Sequence, residues 1–163
     1  MLNSLEKKIS EDTKAAIIDT LKNEVAEVAT DVVIQRNKTD VYDVYSPHRY
    51  VRRNDNGGML DRANVVSKVD GKSMTLEVKN VTKFNLGRDG QGPYVAKLQG
   101  KTLTEHIVDG WSSVKPGDPA YKHPRPFMEN AGESLEGDGA NRKDLERAFE
   151  AGLGRQGIYK TKG

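Results

Sequence analysis

Residues 63–78 read ANVVSKVDGKSMTLEV, and this stretch decides the fold class. Small or apolar side chains occupy every second position on both sides of Asp70-Gly71: Ala63, Val65, Ser67, Val69, Met74, Leu76 and Val78. Because Asp-Gly favours the positive φ angles of a two-residue type I′ turn, the pattern predicts an antiparallel hairpin. In that register Val65 lies opposite Leu76. One face of the hairpin is then mostly apolar and must pack against another element.

A long amphipathic helix is predicted upstream of the hairpin, at about residues 10–36. Ser10, Glu11 and Asp12 provide an acidic start that can cap a helix. Apolar residues then recur at spacings of three and four: Ile17, Leu21, Val25, Val28 and Val32. The stripe holds no Trp or Phe and the opposite face is mixed in charge, which favours a helix covering the sheet over a membrane-bound helix.

The downstream half predicts a loop followed by three helices. Residues 80–101 are rich in glycine and predict a protruding arm, which is typical of an interface. Helices are predicted for residues 103–111, from Pro126 to Leu135, and from about Asn141 to the glycines at 154–157, with a short strand at Ile158-Tyr159. The expected architecture is one α+β domain over residues 1–163, with the long N-terminal helix and the C-terminal helices packed on a small antiparallel sheet.

Composition restricts the classes of function. The chain has 163 residues, of which 35% are hydrophobic, so a single modest core is expected. Lys and Arg number 26 and Asp and Glu 24, and this near balance gives no chain-wide attraction to nucleic acid or membrane. There is no cysteine, no apolar signal sequence and no run long enough to span a membrane. We therefore expect a cytosolic site of synthesis and no membrane partner.

No motif in the sequence predicts catalysis, a metal or a cofactor. His48, His106 and His123 lie in separate segments without metal-ligand spacing. The glycines between residues 87 and 92 lack the Lys-Ser/Thr end of a phosphate-binding loop. A hydrolase without a recognisable motif is a remote alternative, because no nucleophile and base are clustered.

The segment Tyr42–Arg53 interleaves tyrosines with arginines and is the strongest candidate for binding. Such residues are common at protein interfaces, and they can also contact phosphates or stack on bases. The near-neutral net charge favours a protein partner. A DNA-binding accessory protein, acting through Arg49, Arg52 and Arg53, remains the alternative from another class.

Several of these features, in this order, resemble a tail-component or neck family of long-tailed phages and prophages of Gram-positive bacteria. They are the long first helix, Val41–Pro47, Tyr50–Arg53, the hairpin, Pro124–Asn130, and the ending Arg155-Gln156-Gly157-Ile158. The resemblance implies a non-enzymatic virion protein that forms a ring, as a homo-oligomer with six copies, between head and tail. It implies as partners a head connector, adaptor or stopper ring on one side, a tail terminator or tail tube on the other, and DNA in the lumen.

The resemblance leaves related functions open. A tail terminator capping the tube, or a subunit of a phage-derived bacteriocin, would use a similar ring. The predicted interface residues are Tyr45, Arg49, Tyr50, Arg52, Arg53, Phe84, Arg88, Tyr94, Arg125 and Phe127. Within Arg125-Pro126-Phe127, Pro126 is expected to start a helix, Phe127 to enter the core, and Arg125 to pair with a carboxylate or carbonyl.

Overall fold

The computed structural model describes residues 2–44, 53–83, 102–110 and 124–159. Its helices and strands are α1 (Leu2–Thr20), α2 (Ala26–Asn37), β1 (Val65–Asp70), β2 (Thr75–Asn80), α3 (Leu103–Asp109), α4 (Phe127–Leu135) and α5 (Arg142–Arg155). Two π turns, at Leu21–Val25 and Lys38–Tyr42, and a 3-10 turn at Arg62–Asn64 complete the set. The predicted α+β class is confirmed, with a long N-terminal helix, C-terminal helices and a two-stranded antiparallel sheet.

The chain divides into two compact units. Unit 1 comprises Met1–Val32, Ser67–Val78 and Glu133–Gly163, and unit 2 comprises Val33–Val66 and Lys79–Gly132. Each unit therefore combines segments that are far apart in sequence. The single domain over residues 1–163 stays a prediction.

The N-terminal helix begins at Leu2, well before the predicted start at Ser10, and contains two π turns. The N–H of Ala26 donates to the carbonyl of Leu21, and that of Asp43 to the carbonyl of Lys38, each across five residues. One row of buried positions along the helix is four residues apart except across the first π turn, where the spacing is five: Ala16, Thr20, Val25, Ala29, Val33, Asn37 and Val41. Ala26, Thr30 and Val32 are buried beside this row. Leu21 and Val28, placed in the apolar stripe by simple α-helical spacing, are only half-buried.

The hairpin is present, but the prediction of a two-residue turn is wrong. The loop has four residues, Gly71 to Met74, and Met74 adopts a positive φ of 53°. Asp70 stabilises this loop by accepting hydrogen bonds from the Lys72 N–H and the Ser73 hydroxyl, both at 2.8 Å, and these bonds lower the pKa of Asp70. The strand bounds place Val65 opposite Asn80 instead of Leu76; the shift is even, so the same residues share a face.

The later helices follow the predictions closely. Thr102 and Glu105 form a capping box at the start of α3, and Gly110, at a φ of 73°, ends it. Helix α4 starts directly after Pro126, and α5 starts after Asn141, as predicted. The predicted strand at Ile158-Tyr159 is wrong, because the Ile158 N–H donates instead to the Leu153 carbonyl and completes the C-terminal turn of α5.

Candidate interface site

Three of the ten predicted interface residues lie in the described part of the chain: Arg53, Arg125 and Phe127. All three belong to unit 2. The other seven lie outside the described residues: Tyr45, Arg49, Tyr50, Arg52, Phe84, Arg88 and Tyr94. Most of the arm predicted for residues 80–101 also lies outside them, and its predicted start is wrong because Asn80 is the last residue of β2. The interface role of all ten residues stays a prediction.

Arg125 and Asn130 attach α4 to the second π turn. The Nη1 of Arg125 donates to the Val41 carbonyl at 3.2 Å, and the Nδ2 of Asn130 donates to the Asp40 carboxylate at 2.7 Å. Carbonyls at the C-terminus of a helix lack partners within the helix, and a cation there is also favoured by the helix dipole. The two side chains therefore fix the end of the helix from which the Tyr/Arg segment continues.

Phe127 and Pro126 give this attachment a rigid base. Phe127 is 0% exposed, and Ala131, one turn later on α4, is 1% exposed. The Pro126 carbonyl accepts the first hydrogen bond of the helix, from the Asn130 N–H at 2.9 Å. The expectation that Pro126 starts a helix, that Phe127 enters the core and that Arg125 pairs with a carbonyl agrees with these positions.

A buried network of amide and hydroxyl groups centres on Asn80, which is 4% exposed. Its Nδ2 donates to the Met59 carbonyl at 2.8 Å, which also accepts from Asn37 Nδ2 at 2.8 Å. Its Oδ1 accepts from the Thr82 hydroxyl at 2.6 Å, the Thr82 N–H at 3.1 Å and the Thr104 hydroxyl at 2.8 Å. One side chain thus joins the end of β2, the loop at Met59 and the start of α3.

Arg53 brings together the ends of two predicted interface segments. Its Nη2 donates to the Lys83 carbonyl at 2.6 Å. The Leu103 N–H donates to the Thr82 carbonyl at 2.9 Å. The Tyr/Arg segment therefore ends beside the start of the glycine-rich segment, whose far end returns to the same place. The DNA-binding alternative through Arg49, Arg52 and Arg53 stays a prediction, since Arg49 and Arg52 lie outside the described residues.

Unit 1 contains a charged cluster that the sequence did not reveal. Arg155 donates from Nε to Glu24 at 2.6 Å and from Nη2 to Asp19 at 2.5 Å, and Gln156 also donates to Asp19 at 2.5 Å. In a regular α-helix, residues five apart lie on different sides. The first π turn lies between Asp19 and Glu24 and lets one guanidinium reach both carboxylates.

The electrostatics of this cluster follow from the hydrogen bonds. The Arg155 guanidinium lowers the pKa of both Asp19 and Glu24, and the two carboxylates raise the pKa of Arg155. Gly152 lets α5 come close, because a Cβ at this position would lie 2.4 Å from Thr20 Cγ2. Within unit 1, the cluster links the N-terminal helix to the C-terminal end of α5.

Two further observations concern the described ranges alone. Among residues 2–44, 53–83, 102–110 and 124–159, no three His, Asp or Glu side chains are grouped so as to hold a metal ion. Within the same ranges, no helix has the length and apolarity needed to cross a membrane.

Comparison with known families gives the chain its class. It belongs to the YomN family, whose family model matches residues 1–155. YomN is a protein of a Bacillus phage or prophage region, so the phage origin that the resemblance implies is supported. No curated protein and no solved structure is significantly similar to this chain.

Proposed function

We propose that this chain is a subunit of a ring in the neck of a tailed phage, where it joins the DNA-filled head to the tail. The observation that carries the proposal is the match over residues 1–155 to a family of phage or prophage-region proteins. In this function the protein is a non-catalytic part of the virion, made in the host cytoplasm, and six copies form the ring.

The construction of unit 2 supports a role in assembly. Three side chains hold the ends of the predicted interface segments: half-buried Arg125 at the second π turn, half-buried Arg53 at the Lys83 carbonyl, and buried Asn80 at the end of β2. Val44, the last described residue in the N-terminal part of the Tyr/Arg segment, is 63% exposed. A rigid base that presents binding segments suits a subunit that completes its burial in an oligomer.

The proposed neighbours are a head connector, adaptor or stopper ring on one side and a tail terminator or tail tube on the other. DNA would pass through the lumen. The near-neutral charge of the chain, with 26 basic and 24 acidic residues, suits a channel through which DNA moves without being retained.

The test is an in-frame deletion of the gene in the phage or prophage that encodes it, followed by negative-stain electron microscopy of the induced lysate. Filled heads accumulating apart from tails of normal length are expected. The wild-type gene supplied in trans should restore joined particles and infectivity.

Two other outcomes would change the assignment. Tails of uncontrolled length would show that the ring acts as a tail terminator. Intact infectious particles would contradict a structural role, and retention on DNA with a steep salt dependence would then be the property to measure.

A further inference from the structure

Unit 1 contains an open groove formed by α1 and the residues after α5. Its cavity volume is about 550 Å³. Its apolar surface comes from Ile9, Ala15, Ala16 and Ile158. Two aspartates, Asp12 and Asp19, are the charged residues that line it. Ile9 is 57% exposed. The lining of the groove thus combines apolar side chains with two carboxylates.

The chain's own C-terminal aromatic residue lies outside this groove. Tyr159 contacts the surface of α5 at Gly154, where a Cβ would lie 3.5 Å from Tyr159 Cε1. The Tyr159 side chain is nevertheless 77% exposed. A large aromatic side chain in water and an open apolar groove are both present on every copy.

The charges of the two features are complementary. After Arg155 the sequence contains Lys160 and Lys162 and no acidic residue. Asp19 is already bound by Arg155 and Gln156, whereas Asp12 is exposed at the groove. A tyrosine followed by a lysine fits a groove of this size and charge, because the ring can fill the apolar part while the ammonium meets a carboxylate.

We propose that this groove binds the C-terminal tail of a second copy of the chain, with Tyr159 against Ile9 and Ala15 and Lys160 beside Asp12. The contact is heterologous, since groove and tail are different surfaces of the same subunit. Such a contact closes into a ring when the rotation between copies permits. This inference rests on the proposed ring and identifies one of its subunit interfaces.

The test uses the fact that the chain has no cysteine. Ala15→Cys and Thr161→Cys, which keeps Tyr159 and Lys160 intact, are placed in separate chains of different length, which are coexpressed and treated with a short bismaleimide linker. A linked product containing one chain of each kind is expected, both with purified protein and in induced lysates. Lys143→Cys, at an exposed position of α5 that does not line the groove, replaces Ala15→Cys as the matched control and should not link.

A charge exchange tests the polar half of the contact. Asp12→Lys and Lys160→Asp should each reduce the mixed product several-fold, and the double variant should restore it. Circular dichroism of each variant shows whether the helices remain intact.

The outcomes separate this inference from the proposed function. A further variant carries both cysteines in one chain. If it links only within itself, the groove binds its own tail, and this result would overturn the inference. Rings that sediment normally without any mixed product would also overturn it, while leaving the neck role standing. No mixed product in either preparation, with folded protein, would be decisive against the contact.

Discussion

The two units are held together internally by different kinds of polar interaction. In unit 1, Arg155 binds Asp19 and Glu24, and the Arg155 side chain is 47% exposed. In unit 2, the network around Asn80 consists of neutral amides and hydroxyls, and Thr82 within it is 0% exposed. Exposed ion pairs contribute little because water and salt screen them, whereas a buried donor or acceptor without a partner is costly. Stability should therefore be more sensitive to changes in the buried groups of unit 2.

The largest effect is expected for Phe127→Ala. The side chain is 0% exposed, and truncating a buried aromatic residue costs about 3–5 kcal/mol of unfolding free energy. Urea unfolding followed by circular dichroism would measure it, with Phe127→Leu as a milder control that keeps most of the volume. Normal stability combined with failed ring assembly would instead support the interface role predicted for Phe127.

Asn80→Ala should have the next largest effect. It leaves the Thr82 N–H and the Thr104 hydroxyl without the acceptor that they share, at a cost of about 2–4 kcal/mol. Asn56→Ala, at an exposed asparagine whose side chain donates to the neighbouring Asp55 carboxylate, is the matched control. Since the groups around Asn80 do not titrate, the loss of unfolding free energy should be the same at pH 4 and pH 7. A pH-dependent loss would contradict the conclusion that neutral hydrogen bonds hold unit 2 and ion pairs hold unit 1.

Gly152→Ala tests how closely α5 approaches the N-terminal helix in unit 1. The added Cβ would lie 2.4 Å from Thr20 Cγ2 and 2.7 Å from the Glu24 carboxylate, so the helices must separate. We expect a loss of about 1–3 kcal/mol in urea unfolding. Gly132→Ala on α4, where a Cβ would meet nothing within 4 Å, is the control and should be neutral or stabilising. Equal behaviour of the two variants would contradict the close approach.

Arg155→Gln should have the smallest effect at neutral pH, and that effect should depend on salt and pH. The folded state lowers the pKa of Asp19 and Glu24, so their contribution is present above the unfolded-state pKa values, near 4, and is lost as the pH falls through the lower folded-state values. The difference in stability between wild type and variant should therefore shrink below about pH 4 and in high salt. An unchanged difference at pH 3 would refute the ion-pair explanation.

Local sequence signals predicted the later helices well because their ends depend on nearby residues. Pro126 and Asn141 mark starts that the structure reproduces, whereas the first helix begins at Leu2 instead of Ser10. The hairpin shows the limit of such signals. Asp70-Gly71 suggested a two-residue turn, but the Asp70 side chain binds the Lys72 N–H and the Ser73 hydroxyl, which favours the longer loop.

The polar clusters were harder to predict for different reasons. The alternation Leu76, Val78, Asn80 placed an asparagine on the inward face, which was an available sign of a buried network. No such sign existed for Asp19 and Glu24, since residues five apart lie on different sides of a regular α-helix. The first π turn lies between them and lets both carboxylates bind Arg155, which is more than a hundred residues later in the sequence.

The sequence by itself determined the α+β class, the positions of the later helices, the turn-forming role of Asp70 and the resemblance to a phage family, because these depend on periodicity, capping and motif order. Only the tertiary structure decided the two π turns, the partners of Arg53, Arg125 and Arg155, and the groove beside Ile9. Those features depend on contacts between groups that are distant in sequence. Such contacts are favourable in a buried site only when the polar groups are hydrogen-bonded and the side chains fill the available volume.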